Sequence, residues 1–287
     1  MTSPRAVLTA ASAAQAAVSL VGFGLPSIGP DLAAEHGFGL AALGAVLTAN
    51  LLGSGVSLIP AGIVVDRYGS RLPLACGSVV SAAGLAAAAL APSTPALVAS
   101  LFVAGLGSAV VPTAGFGALF RAYGPERRAW ALGVRQMAVP LGGTIAAVLL
   151  PGLVALDGVR LALLGCASAV LVLGLAFAAV AEGSPPAHAR PRIEIHRLAR
   201  APGMPRLLLV ATLYIVVLQS VLSFTVPSIR DAGFSALVAG AVFFVLNVTA
   251  GVARIVWGRI ADTGGGGRRV AERWCMAVAS SCREMSC

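Results

Sequence analysis

In the stretch Gly62-Ile63-Val64-Val65-Asp66-Arg67-Tyr68-Gly69-Ser70-Arg71, three charges stand between two long runs, 36–65 and 72–120, that hold no Asp, Glu, Lys or Arg. A helix that crosses a membrane needs roughly 20 predominantly apolar residues, and both runs exceed that. The charged decapeptide therefore reads as a short polar turn between two spans. Gly69 suits such a turn, because a residue without a Cβ adopts a left-handed backbone at no steric cost.

Outward from this turn, the same criterion finds charge-free runs at 6–30, 136–156, 161–181, 207–229 and 232–253. The run 72–120 is too long for one crossing, and Pro92-Ser93-Thr94-Pro95 divides it. Eight helices are predicted, near 6–28, 41–65, 71–91, 96–119, 129–151, 160–181, 206–226 and 236–258. A signal peptide would also follow a basic residue such as Arg5. The first run, however, stays apolar through Val18 to Phe23, past the length of a signal core, and reads as a retained helix.

Composition agrees. Of 287 residues, 58% are hydrophobic and 11% charged, with a mean hydropathy of +0.91. Soluble domains carry about a quarter of their residues as charges, so an ordinary cytosolic enzyme is excluded and the lipid bilayer is the expected surrounding. The formal charge is +9, and all 20 basic residues are Arg. With no lysine, neither a P-loop lysine nor a Schiff-base lysine exists. The arginines lie in short loops between apolar runs, so nucleic acid is not an expected partner. Cys76, Cys166, Cys275, Cys282 and Cys287 do not form a secreted disulfide pattern, and His36, His188 and His196 are loop residues without ligand spacing. No nucleophile–base pair, metal site or cofactor motif is present, so an enzyme is not expected.

Arginine placement gives orientation. Alternate segments holding Arg5, Arg67, Arg71, Arg121, Arg127, Arg128, the Arg190–Arg206 group and the Arg259–Arg273 group carry 15 arginines; the opposite loops carry Arg160 and Arg230. By the positive-inside rule the N-terminus faces the cytoplasm of a multi-pass plasma (inner) membrane protein. The domains are then a six-helix half at 1–181, a Pro- and Arg-rich cytoplasmic linker at 182–205, two helices of a second half at 206–269, and a distinct tail at 270–287. That tail is too short and polar to span. It reads as out-of-frame or truncated sequence, or else as a cysteine-bearing metal or redox tail.

The second piece repeats the start of the first. Pro26-Ser27-Ile28 corresponds to Pro227-Ser228-Ile229, Gly37-Phe38 to Gly233-Phe234, and Asn50 to Asn247. Gly62 precedes Asp66 by four residues, as Gly258 precedes Asp262. Parallel repeats of six helices characterise one large transporter class.

These residues carry a resemblance to the major facilitator superfamily. The 62–71 decapeptide is similar to that family's signature between helices 2 and 3. Gly258-Arg259-Ile260-Ala261-Asp262, with Arg268 and Arg269, is similar to its weaker copy between helices 8 and 9. The stretch Arg128 to Gly143, through Gly133, Arg135, Gln136, Pro140 and Gly142, resembles the fifth helix of prokaryotic members. The resemblance implies an all-α integral membrane fold: a six-helix N-terminal bundle plus the first two helices of a second, parallel-repeat bundle. With eight of the family's twelve helices, a C-terminally truncated product is expected.

The resemblance further implies secondary active transport of a small solute by alternating access, with no cofactor. The alternative is a non-transporting membrane fragment, either inert or an interaction partner or sensor. Gly62, Asp66, Arg67, Gly69 and Arg71 would form one conformational switch, with Gly62 allowing close helix approach, and Gly258 and Asp262 a second. The family's partner for the first loop lies on helix 11, which a complementary C-terminal half would supply. The partner of the second is the helix 4–5 region, here with Arg127, Arg128 and Arg135. Polar residues inside spans mark cavities or helix contacts: Gln15, Asn50, Arg135, Gln136, Gln219, Asn247 and Arg254. Arg135 and Arg254 would attract an anionic solute if they line the cavity; the alternative is snorkelling to the interface. The asparagines would bind solute or bridge helices. Leu101 stands where the family carries an arginine, and no acid lies deep in a span, so the residues at hand do not supply proton coupling.

Overall fold

A computed structural model describes residues 3–181, 204–234 and 236–263, and all regular structure among them is helical. Most of the expected linker, Arg268, Arg269 and the 270–287 tail lie outside the described residues. The chain divides into two units, residues 1–186 with 250–287, and residues 187–249.

In the first unit, α1 (Pro4–Gly24) opens on Ser3, whose hydroxyl accepts from the Ala6 amide at 3.2 Å. Capping by serine satisfies one of the amides that a helix start leaves free. Pro26 opens a single 3-10 turn, Leu25–Ile28, and the helical path resumes as α2 (Gly29–His36). The first crossing therefore runs beyond the expected limit at 28. Gly37, with φ +66°, ends it, and the Phe38 amide reaches back to the Ala33 carbonyl at 3.2 Å. This is a left-handed glycine closure that pairs a terminal carbonyl.

α3 (Leu40–Tyr68) and α4 (Arg71–Ala89) are joined by Gly69 and Ser70, with Gly69 at φ +79°. The expected fourth helix consists of two pieces, α5 (Thr94–Ser108) and α6 (Val110–Ala122), joined at Ala109. Pro112 has no amide to offer the Ser108 carbonyl, which accounts for the break in the ladder.

α7 (Arg128–Val180) covers both the fifth and sixth expected helices, and Asp157 and Gly158 leave helical geometry inside it, with Gly158 at φ +69°. A Cβ placed on Gly165 would lie 3.1 Å from the Leu153 side chain. In a straight helix those residues would be about 18 Å apart, so the chain reverses at Asp157–Gly158.

The helices meet through small residues. Gly105 lies against the Asn50 carbonyl, Gly53 against the Phe102 carbonyl, Gly107 against Gly77 and Ser81, and Gly142 against the Ala16 carbonyl; a Cβ at any of them would collide with backbone. Such glycines allow the backbone proximity on which helix association in lipid depends. Two apolar clusters fill the remaining interior, one around Ile28, Leu85, Leu101 and Leu150, the other around Leu74, Leu119 and Phe177.

The second unit holds α8 (Met204–Asp231) and the start of α9 (Ala236–Thr263). Pro227-Ser228-Ile229 lies inside α8, one turn before its end rather than at it. Gly233, at φ +87°, ends this helix, and the Phe234 amide reaches the Ile229 carbonyl at 3.3 Å. Gly37-Phe38 and Gly233-Phe234 thus close their helices the same way, each Phe amide bonding five residues back.

Among the described residues, six segments are long and apolar enough to cross a membrane: Pro4–His36, Ala42–Tyr68, Arg71–Ala89, Thr94–Ala122, Pro125–Val180 and Phe244–Asp262. With the reversal inside it, Pro125–Val180 has the length for two crossings. α8 begins with the shorter apolar segment Met204–Val217.

Candidate functional site

Two groups of expected residues are brought together, both in the first unit. At the arginine-bearing end, α7 begins without a side-chain cap of its own. Asp262, from the last turn of α9, supplies one. Its Oδ1 accepts from the Ala129 amide at 3.0 Å and its Oδ2 from the Trp130 amide at 2.8 Å. These are the second and third amides of α7, the donors an N-cap residue normally takes, and the carboxylate also meets the positive end of the helix dipole. Gly258, one turn earlier, makes the approach possible: a Cβ there would lie 2.5 Å from the Ala129 carbonyl oxygen. The helix 4–5 region is indeed the neighbour of the 258–262 copy, but through backbone amides. Arg128 instead donates to the Tyr123 and Phe120 carbonyls, both at 3.0 Å, at the end of α6.

Arg254, a further turn back, donates from Nη1 to the Gln136 carbonyl at 2.9 Å. That carbonyl would bond to the amide four residues on, which is Pro140 and has none. Arg254 thus pairs a carbonyl that the proline leaves free, and Gly133 packs against the Arg254 backbone. A cleft of about 410 Å³ lies beside the cap, lined by Glu126, Arg127, Trp130, Arg259 and Asp262. Close by, the Tyr123 hydroxyl donates to the Pro4 carbonyl at 3.1 Å. Partial burial raises its pKa above a phenol's usual range, against the opposing pull of Arg5 and Arg127, so the donor proton stays in place.

The 62–71 copy differs. Asp66, Arg67 and Arg71 are exposed, and a Cβ on Gly62 would meet nothing within 4 Å. The close helix approach expected at Gly62 is therefore not made among the described residues; Gly53, nine positions earlier on α3, makes it instead. The loop is held by Ser70, fully buried, whose hydroxyl accepts from Arg121 Nη2 at 2.7 Å.

The second group lies between α1, α6 and α7. Arg135 is completely buried, which corrects the snorkelling expectation. Its Nη2 donates to Gln15 Oε1 at 2.6 Å and, at 3.4 Å each, to the Val111 and Pro112 carbonyls. Its guanidinium carbon stands 4.9 Å from the centre of the Phe116 ring. Gly115 admits it, because a Cβ there would lie 2.5 Å from Arg135 Nε. Gln15 Nε2 in turn donates to Ser19 Oγ at 3.4 Å. The paired glycines Gly115 and Gly117 point to close helix packing in the sequence, but nothing there links Arg135 on the fifth helix to Phe116, Ser19 or a partner 120 positions away.

The other expected cavity residues are dispersed. Asn50 is buried and donates to the Leu101 carbonyl at 3.3 Å, bridging α3 and α5. Gln136 meets Arg254 through its carbonyl alone among the bonds described. Asn247 is buried on α9 in the second unit. Gln219 belongs to α8, and its side chain lies outside the described residues.

Comparison with known proteins agrees on one architecture. A sequence profile of the Major Facilitator Superfamily matches residues 9–282. Two uncharacterized MFS-type transporters of Mycobacterium tuberculosis, from strains CDC 1551 and H37Rv, are each 31% identical over 124 residues. That match covers 43% of this chain and 28% of each relative, so the chain spans less than a third of their length in alignment. Among solved structures, the proton:xylose symporter XylE with bound 6-bromo-6-deoxy-D-glucose superposes with a TM-score of 0.67 at 14% identity, over 91% of this chain and 69% of that one. The human organic anion transporter MFSD10 gives 0.65 at 20% identity, over 92% and 74%. At such identities the likeness is one of fold.

Proposed function

The chain belongs to the Major Facilitator Superfamily, a multi-pass membrane family, and from that premise we propose that it takes part in moving a small solute across the plasma (inner) membrane by alternating access. The observation that carries this reading is the cap that Asp262 places on α7. A carboxylate bonded to two helix-terminal amides is strong enough to hold one closed arrangement and weak enough to release, since such caps are worth about 1–2 kcal/mol. Gly258, Asp262 and Arg254 form the switch on this side. Gly62, Asp66, Arg67, Gly69 and Arg71 form its counterpart, the part that a complementary C-terminal half would meet. The arginine-bearing end, with the N-terminus, faces the cytoplasm in this reading, as the arginine distribution supports. Arg135 and Gln15 mark the solute path through the first bundle, and the charge of Arg135 favours an anionic solute.

Liposomes carrying the whole chain test this by osmotic swelling against a panel of sugars, amino acids, polyols and sodium carboxylates. Saturable swelling confined to one solute class, with a rate altered by Asp262→Asn, is the expected result. Swelling no faster than that of empty liposomes for every solute would overturn transport by this chain.

A further inference from the structure

Among the described residues, three buried side-chain atoms have no hydrogen-bond partner: Arg135 Nε, Arg135 Nη1 and Ser12 Oγ. Buried polar atoms are paired in the great majority of cases, and each exception asks for a cause. Ser12 precedes Gln15 by three residues and so shares its face of α1, and Gln15 Oε1 holds Arg135 Nη2. The hydrogen bonds Arg135 does make all go to neutral acceptors, the Gln15 amide and the Val111 and Pro112 carbonyls. A fixed positive charge wholly out of water, with no carboxylate bonded to it among the described residues, is a poor arrangement unless an anion completes it. The donors left over are the Nε–H and the two N–H of Nη1 on a planar guanidinium, and one hydroxyl.

We propose that Arg135, with Gln15 and Ser12, binds a planar oxyanion carrying a single negative charge, the carboxylate of a small organic acid or an inorganic ion of nitrate shape. In this role Gln15 and the two carbonyls occupy Nη2 and fix the guanidinium, the anion accepts from the Nε–H, and Ser12 donates a further hydrogen bond, with Nη1 on the other edge of the guanidinium. Enclosure by α1, α6 and α7 limits the guest to a few heavy atoms around the charge and requires those helices to part for it to enter. The site names the solute class of the proposed transporter and in that respect rests on that reading, although anion binding itself can be measured without any flux.

The direct probe is nuclear magnetic resonance of the whole chain in detergent with 15N-labelled arginine. The Nε–H resonance missing from Arg135→Gln belongs to Arg135. Titration with sodium acetate and with sodium nitrate, at ionic strength held by a bulky sulfonate buffer, is expected to move that resonance saturably, whereas neutral acetamide leaves it in place. By calorimetry, acetate or nitrate should bind at least about tenfold more weakly to Arg135→Gln than to the unaltered chain, the usual scale for losing a charge-assisted hydrogen bond. Ser12→Ala should weaken binding by several-fold while keeping the Nε–H shift. A shift with acetate alone assigns the site to organic acids, and a shift with both assigns it to oxyanion shape. An Nε–H resonance indifferent to both salts overturns the proposal, and Arg135 is then a tie between three helices. If that happens while the liposomes still swell with a neutral solute, only the anion site falls; if acetate binds and no solute enters, transport falls and the site remains.

Discussion

Gly62 and Gly258 each stand four residues ahead of an aspartate, in two copies of one pattern, yet their surroundings are opposite. Around Gly62 there is open space, and Asp66 lies exposed at the end of α3. Gly258 is pressed onto the Ala129 carbonyl, and Asp262 closes the start of α7. The same residues therefore do different things according to what lies opposite them. A glycine four positions before an aspartate lets a second helix come near enough for the carboxylate to reach backbone amides, but only a helix start in that position converts proximity into a cap.

The largest expected contrast comes from filling the glycines. Gly258→Leu forces a branched side chain into the backbone of α7, and overpacking of that kind costs about 1–3 kcal/mol; it also pushes Asp262 off its amides. Gly62→Leu enters open space and should stay within about 0.5 kcal/mol. Thermal unfolding of both variants in the same detergent checks this, and equal losses would break the comparison. Next in size is Asp262→Ala, which removes the cap and should cost about 1–2 kcal/mol. Hydrogen exchange localises the effect: the amides of Ala129 and Trp130 should exchange faster, and those of α3 should not change.

Those amides show where sequence and structure part. The helices could be read from charge-free runs because lipid tolerates few charges, and the reversal between the fifth and sixth helices falls at Asp157 and Gly158, in the gap between two such runs. Apolar periodicity says nothing of which helix ends meet. That Asp262 caps α7, that Arg254 serves the carbonyl orphaned by Pro140, and that Arg135 finds Gln15 are facts of packing between residues more than a hundred positions apart. The snorkelling expectation for Arg135 failed for a local reason. Gly115 on a neighbouring helix opens a place for the guanidinium in the interior. Asn50 followed the more ordinary of its two readings and bridges helices.

A smaller effect belongs to the first copy alone. Ser70 is buried near the end of α6 and receives Arg121, which anchors the 62–71 turn. Ser70→Ala should cost about 1 kcal/mol, since the guanidinium regains water in part. Faster exchange of the amides at the start of α4, with those of Ala129 and Trp130 unchanged, would show the two copies to be anchored independently. Coupled changes would mean that they form one structural element.

The smallest expected effect is also the sharpest, because it differs in sign. Gly62 lies inside α3, in helical geometry, with nothing within 4 Å of where a Cβ would stand. Gly62→Ala therefore adds no clash and removes backbone freedom from the unfolded chain, which should stabilise by about 0.5 kcal/mol. Gly258→Ala gains the same entropy, but its methyl meets a carbonyl oxygen at 2.5 Å, a separation that real Cβ atoms essentially never show. The oxygen belongs to backbone, so α9 must back away and lengthen the Asp262 bonds. A net loss at Gly258 beside a net gain at Gly62, measured in one unfolding series, would tie the asymmetry between the copies to a single methyl group. If a complementary half packs on Gly62, its addition should turn that gain into a loss.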